Sequence, residues 1–450
     1  MNESKPAADM DAFLSRAKQA RQAVEKMSHP TVVNHYDCDG LSAGAIVCKF
    51  LEDKNIRFEV MTIRKLDDNV LQSLKEKKEI IFADLGGGHP GVNSLGANVV
   101  IFDHHQTEGV QKLQLNPHLF GLDGGTDMSG STCAYWALET LPEVAIVGAV
   151  GDMQYPMRGA NKILLDKFVK NGWVDASIDL RFYGRMSRPL PQLLAYADDP
   201  FLPSLGGSEE RCTQFLENLG LGTKGTAWRT YAQLDGGEKK KLIGALATHM
   251  AESVGGKYDA QNLVGETYLF PRFKHIEELY DAGEFSTLLN ACGRHDQPQI
   301  GMDVCLQRPG AIEKGRALLS AHKRALREGV EYAYKNTKDW GPFLLLDGRG
   351  AIDDGIIGVV AGMVFPGGRK KPIIALALDL KGDIKISARG TKKLVASGLN
   401  LGLALKKACT QVGGQGGGHQ IAAGATVPVQ KIDEFLKIFS KIIDEQVQNI

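Results

Sequence analysis

Neither sign of charge prevails in this sequence of 450 residues: 53 Lys and Arg stand against 53 Asp and Glu, for a formal net charge of zero. A bulk electrostatic pull toward nucleic acid or a membrane surface is therefore excluded, and a polyanion would have to be held by a local basic patch or by metal ions. Cysteine is sparse and scattered. The seven residues (Cys38, Cys48, Cys133, Cys212, Cys292, Cys305 and Cys409) are odd in number and contain no Cys-x-x-Cys pair. That argues against a disulfide framework and a structural zinc site, and it fits a reducing cytoplasm. Also lacking are a signal-peptide pattern and any apolar stretch long enough to span a bilayer, so no membrane role is expected. Met10 to Met27 instead sets Phe13, Leu14, Ala17, Val24 and Met27 near helical spacing, which predicts an amphipathic helix.

What is present is the composition of a globular protein, 43% hydrophobic and 24% charged, with length enough for about two or three domains. The organising stretch is Asn34-His35-Tyr36-Asp37-Cys38-Asp39-Gly40. It follows the apolar Thr31 to Val33 and precedes a helical pattern from Leu41 to Leu51, which predicts strand, tight turn and helix. Two aspartates two residues apart at a strand's carboxyl end, with Gly40 to turn the chain, gather oxygen ligands into one small volume suited to a divalent cation. An Asp-rich surface turn would use the same residue types. The pattern then recurs. Ile56 to Ile63 reads as a second strand reached by a helical crossover, Glu79 to Ala83 runs into Asp84, and Asn98 to Phe102 runs into Asp103-His104-His105. Parallel βαβ units would bring these strand ends to one crevice. The apolar stretch Glu143 to Val150, readable as helix or strand, ends in Gly151-Asp152.

Gly124 to Thr132 precedes a helical run through Leu141, so its hydroxyls are capping signals; a free helix start is also a phosphate cradle, which makes Ser129, Ser131 and Thr132 candidate substrate contacts. From about Asp198 the pattern turns to Pro and Gly punctuation and helices. Glu284 to Arg294 reads as a helix ending in polar groups, and Ala311 to Tyr334 as a long connector. The last third alternates again: strand Phe343 to Leu346, helix Ile356 to Phe365, strands Ile373 to Leu380 and Ile384 to Ala388, and a helix around Asn400 to Cys409. Gly413 to His419 is expected to form a glycine-rich loop whose backbone can approach an anion, with Arg389, Lys392 and Lys393 supplying positive charge nearby.

The ordered set His35-x-Asp37-x-Asp39-Gly40, Asp84, Asp103-His104-His105, Gly151-Asp152, Gly416-Gly417-Gly418-His419 and Ala422-Ala423-Gly424 resembles the DHH phosphoesterase superfamily over nearly the whole chain. Phe285 to Arg294 and Lys385 to Gly390 look most like the archaeal RecJ-like nucleases, some of which associate with the GINS replication complex. The resemblance implies an α/β fold: a parallel-sheet DHH catalytic domain (1–195), a largely helical middle region (196–335), and a smaller α/β DHHA1 substrate-binding domain (336–450). One departure is that the first-motif histidine lies two residues before Asp37, whereas related pyrophosphatases carry it four before, where Val33 stands here.

By the same resemblance Asp37 and Asp84 bind one ion, and Asp39, Asp84, His104 and Asp152 the other, with His35 a further candidate ligand. Four aspartates in one dry crevice would raise one another's pKa values unless neutralised, and two divalent ions balance them. Mixed carboxylate and imidazole ligation favours manganese, with magnesium or cobalt as alternatives. His105 would meet the phosphate or protonate the leaving oxygen, and Asp103 would orient a histidine. Asn290, Arg294, Arg389, Gly416, Gly417, Gly418 and His419 are expected to hold substrate. The implied activity is exonucleolytic hydrolysis of single-stranded DNA or RNA in replication or repair. Alternatives are a phosphodiesterase of short oligonucleotides or cyclic dinucleotides, and a replication-complex scaffold with reduced activity.

Overall fold

The computed structural model describes residues 9–447 other than 97, 198–199, 201, 224–226, 253–259, 365–369 and 380. The chain forms two compact units, Met1–Leu319 and Ser320–Ile450. Among the described residues no helix is long and apolar enough to cross a membrane.

The first unit is built on five parallel strands: β1 (Thr31–His35), β2 (Glu59–Ile63), β3 (Glu79–Ala83), β4 (Asn98–Phe102) and β5 (Leu113–Leu115), in the order β2-β1-β3-β4-β5. β3 and β4 read as nearly continuous apolar runs because both faces of a parallel sheet are covered. Alternation then sends Val32, Ile81, Val100 and Phe102 into one core, and Val33, Ile80, Phe82, Val99 and Ile101 into another. Over the first face lie α1 (Met10–Glu25) and α2 (Cys38–Asp53); over the second lies α3 (Asp68–Leu74). α4 (Gly130–Leu138) and α5 (Pro142–Gly151) pack against α2. The ambiguous stretch before Asp152 is thus a helix; Pro142 opens it and its residues are almost all buried, which removes the polar face that would have revealed its period. In this strand order the chain reverses direction across the sheet between β1 and β3, and ligands of open α/β sheets bind outside the strand carboxyl ends at such a reversal. Asp37, Asp39 and Asp84 follow those two strands.

An antiparallel pair, β6 (Asp175–Leu180) with β7 (Val264–Leu269), adjoins a helical core of its own centred on Leu190, Leu216, Tyr231, Leu242 and Leu246. The Ala282–Arg294 and Pro298–Cys305 helices, which the sequence pattern groups with this middle region, bury Phe285, Leu288, Leu289 and Met302 in the first core instead.

In the second unit a mixed sheet runs β12-β13-β11-β10-β9-β8, built from β8 (Lys338–Asp339), β9 (Leu344–Asp347), β10 (Ile373–Leu378), β11 (Ile384–Arg389), β12 (Gln415–Gly418) and β13 (Ala422–Val427). The expected glycine-rich loop is therefore an edge strand: Gly416, Gly417 and Gly418 pair antiparallel with Ala425, Gly424 and Ala423. Glycine here serves close packing of the Leu401–Val412 helix. A Cβ on Gly416 would lie 2.8 Å from Cys409 Sγ, and one on Gly402 would lie 2.1 Å from the Gly418 carbonyl oxygen.

The contact at Gly402 sets two opposed effects against each other. Alanine raises helix propensity by about 1 kcal/mol, while overpacking against backbone costs about 1–3 kcal/mol. Gly402→Ala is expected to lower the thermal midpoint by roughly 5 °C or more. An unchanged or raised midpoint would show that helix and strand separate freely.

Candidate metal centre

Asp37 caps α2, its Oδ1 accepting from Gly40 N at 3.0 Å, and this fixes the turn that carries both first-motif aspartates. The Ala282–Arg294 helix steadies the same turn from behind: Asn290 Oδ1 accepts from Cys38 N at 3.1 Å, and a Cβ on Gly293 would lie 1.9 Å from the Tyr36 carbonyl oxygen. Asn290 therefore acts on the turn, and Arg294 ends that helix beside it. Across the turn Arg64, just past β2, lies over the Tyr36 ring at 5.4 Å and pairs with Asp296 at 2.7 Å. No spacing pattern pointed to Arg64.

Asp84, immediately after β3, is buried and holds a left-handed φ of 65°, a conformation costly for a residue with a side chain. Its two oxygens face different groups. Oδ2 lies 3.5 Å from His35 Nδ1, and Oδ1 lies 3.2 Å from His104 Nε2. His35 Nδ1 is also 2.9 Å from Asp37 Oδ2, while His104 Nε2 is 3.2 Å from Asp152 Oδ2 and 3.9 Å from Asp39 Oδ2. The donors fall into overlapping sets, His35/Asp37/Asp84, Asp84/His104/His105 and Asp39/His104/Asp152, whose ligand atoms lie within 4.8 Å of one another.

The tautomer of His104 follows from its other nitrogen. Nδ1 is 2.6 Å from the Gly124 carbonyl, which can only accept, so Nδ1 carries a hydrogen and Nε2 is the nitrogen offered to a cation among the carboxylates. His105 is set by Asp103, whose Oδ1 is 2.8 Å from His105 Nδ1 and also accepts from the backbone N–H of His104 and of His105; Oδ2 accepts from Gly87 N at 2.7 Å. Asp103 is fully buried and His105 about half exposed, so the imidazole lies at the mouth of the donor cluster.

Asp39 is the most elaborately held of the candidate donors. Its Oδ1 accepts from Ser129 Oγ at 2.9 Å and Ser131 N at 3.0 Å, and its Oδ2 from Gly130 N at 2.5 Å. The start of α4, expected as a phosphate cradle, thus cradles a carboxylate of the protein itself. Ser129, Ser131 and Thr132 are fully buried; Ser131 Oγ donates to Ala145 O, and Thr132 Oγ1 bonds the Ser129 backbone in a capping box. The approach needs glycine twice: a Cβ on Gly130 would lie 2.6 Å from Asp84 Cβ, and one on Gly148 would lie 2.4 Å from Asp39 Oδ1.

The electrostatics fit cations. Burial and then the Asp84 charge push the Asp39 carboxyl up to about 6, and burial and then Asp39 raise Asp152 well above the usual range. Burial works the same way on Asp84, but the His104 and His35 imidazoles outweigh it and hold the carboxyl well below its ordinary value. Both imidazoles are raised well above 6.5, since the facing carboxylates overcome burial. The buried Asp84 Oδ1 and His35 Nδ1 have no well-aligned hydrogen bond. The Asp39 and Asp152 carboxyls raised by burial and by one another, the imidazoles raised by the carboxylates around them, and the buried donor atoms without aligned hydrogen bonds together fit a pair of divalent ions.

In the second unit Arg389 ends β11 and pairs in register with Ala422, while Gly418 pairs with Ala423, so Arg389 and the Gly418–His419 turn share one end of the sheet, two strands apart. The Arg389 guanidinium lies over Gly358, where a Cβ would come within 2.7 Å of it.

Known proteins agree with this architecture. The N-terminal domain of the DHH family matches residues 30–150, the DHH-CID domain 182–264 and the DHHA1 domain 342–445. The uncharacterized protein MJ0831 of Methanocaldococcus jannaschii is 32% identical over 439 residues, 93% of this chain and 94% of that one. The chain belongs to the DHH phosphoesterase family with a DHHA1 domain, of RecJ-like fold. RecJ from Thermus thermophilus, solved with Mn2+, aligns over 98% of this chain at 15% identity and a TM-score of 0.59; this chain spans only 56% of its length. CDC45 from Entamoeba histolytica aligns over 96% of this chain and 99% of its own at 12% identity and a TM-score of 0.63.

Metal ligands must shed their protons, so Mn2+ added to chelator-stripped protein near pH 7 is expected to release on the order of two protons per chain. It should also stabilise the fold by about 2.7 kcal/mol at a hundredfold excess over Kd. Asp84→Asn should remove most of both signals in calorimetry and thermal melting. Retention of both would remove Asp84 from the ligand set.

Proposed function

We propose that the protein is a manganese-dependent phosphodiesterase, acting as an exonuclease on single-stranded DNA or RNA in replication or repair. The observation that carries this reading is Asp84, whose two oxygens face two separate sets of imidazole and carboxylate donors. His35, Asp37 and Asp84 would hold one divalent ion, and Asp84, Asp39, His104 and Asp152 the second; mixed nitrogen and oxygen donors favour Mn2+ over Mg2+, with Co2+ acceptable. Bound together, such ions supply charge neutralisation and an activated water for in-line attack on phosphorus.

The chain's own residues supply the remainder. His105, with Nδ1 held by Asp103, has its pKa pushed up to about 9 chiefly by that bond, so it carries a proton at neutral pH. At the mouth of the site it is placed to bind a phosphate oxygen and to give a proton to the leaving oxygen. Asp103 keeps the ring in that orientation, the role a carboxylate plays beside a working imidazole. Arg389, β12 and His419 would form the phosphate-gripping face of the second unit. A guanidinium fork matches two phosphate oxygens; β12 is an edge strand, leaving one row of its backbone groups outside the sheet. The scaffold reading, in which GINS or other replication proteins are the main partners, shares the fold with CDC45. It leaves four clustered aspartates and their imidazoles without a use.

End-labelled single-stranded DNA and RNA, with a dinucleotide as control, test the proposal. Progressive release of mononucleotides in Mn2+, abolished by chelator, is expected. His105→Ala should slow turnover by about 10²–10⁴ while the Mn2+-induced thermal shift persists. Cleavage of the dinucleotide alone would favour the short-oligonucleotide reading, and full activity after exhaustive chelation would end the metal-dependent one.

A further inference from the structure

Beside Asp152 the first unit contains a cleft of ≈ 260 Å³ that none of the proposed ligand donors lines. That volume is just under the ~300 Å³ at which pockets for drug-sized ligands begin, so it suits one small ring system rather than a stretch of chain. Its walls come from separate segments: Met153 and Tyr155 after α5, Arg181 and Tyr183 after β6, Glu266 on β7, and Thr287 on the Ala282–Arg294 helix.

Their chemistry is specific. The Arg181 guanidinium lies over the Tyr155 ring, 4.8 Å from its centre, and among the described residues it makes no ion pair. The Tyr183 ring is likewise backed by Arg188 at 4.5 Å. Aromatic rings and guanidinium planes are the two surfaces on which unpaired bases stack. Glu266 is fixed by Tyr268 Oη at 2.6 Å and Met157 N at 3.1 Å, which leaves its carboxylate as an oriented acceptor. Met153 sits on the rim at φ 56° and is 75% exposed as a residue. A methionine held in the left-handed region and turned to solvent is strained and unburied at once, a combination that marks contact surfaces, and its soft thioether packs well on rings.

A free phosphate would meet the Glu266 carboxylate in this cleft, and a purely apolar ligand would strand both Arg181 and Glu266 without water. A flat heterocycle with polar edges satisfies every wall. We propose that the cleft receives the base of the nucleotide adjoining the phosphate that is cut, seating one base at a time beside Asp152. The proposal rests on the phosphodiesterase reading, because the position of the cleft matters only if chemistry occurs at the acids next to it.

Equilibrium binding separates the two ideas. AMP and ribose 5-phosphate, which differ by the base alone, would be titrated into the full-length protein with Mn2+ present. AMP is expected to bind about tenfold or more tightly, as loss of one stacked base implies. Tyr155→Ala removes the platform and Thr287→Trp fills the space; each should abolish the preference while leaving ribose 5-phosphate affinity unchanged, which also certifies that the variant is folded. Equal affinity for the two ligands in the wild type, or a preference that survives in a variant that still binds ribose 5-phosphate, would overturn the assignment. Because the readout is binding, protein that prefers AMP but cuts no strand retains the pocket and loses the nuclease reading. Protein that cuts but shows no preference does the reverse.

Discussion

Bringing Asp37, Asp39, Asp84 and Asp152 together sets four carboxylates against mutual repulsion and takes two of them, Asp39 and Asp84, out of water, at an effective cost of several kcal/mol for each buried charge. Much of the first unit can be read as an answer to that cost. Asp39 receives two backbone amides and a hydroxyl at the start of α4, where the helix dipole adds positive potential. Asp84 receives two imidazoles, one from each side. Asp103, buried behind them, takes three backbone amides and His105. Asp152, with fewer such partners, is left with a raised pKa. The balance is incomplete within the protein, and cations are what would complete it.

The same requirement explains the local strain. Asp84 adopts a left-handed φ directly after β3, a conformation worth about 1–3 kcal/mol of strain in a residue with a side chain. That turn directs the carboxylate between His35 and His104, and Gly130, which has no Cβ to collide with Asp84, lets α4 close on the turn from above. Strand end, strained turn and glycine-started helix therefore form one device, and changing any of them moves both donor sets at once.

Much of this was legible in the sequence, for a physical reason. His35, Asp37, Asp84 and His104 lie at or just after the ends of apolar strands, and a strand buried on both faces shows itself as an unbroken run of Ile, Val and Phe; Asp152, which closes a helix, lacks that signal. What stayed hidden depends on contacts distant in sequence. Ser129 and Ser131 look like any helix cap until Asp39, 90 residues earlier, is found beside them. The Ala282–Arg294 helix carries an amphipathic pattern that names no partner, so its place in the first core rather than the middle region could not be read. The glycines of β12 were misleading because flexible loops and closely packed strands share that composition; the distinction lies in Gly402 and Cys409 on the facing helix.

If a chain with no net charge is to hold a polyanion, as the proposed function requires, it must divide its grip among different forces. On the proposed reading, phosphate charge would be met at the metal donors, at Arg64 and Arg294, and at Arg389 in the second unit. With a net charge of zero, the counterion release that dominates binding by strongly basic proteins would have less to draw on. Base stacking is the remaining strong and sequence-tolerant source of affinity, worth about 1–3 kcal/mol per base. It also discriminates against duplex, whose bases are already stacked and would have to be unstacked first. On the proposed reading, the cleft of Tyr155, Arg181 and Tyr183 beside Asp152 would put such a surface next to the acids, so a preference for single strands would arise from the same contacts that hold the substrate in a chain of balanced charge.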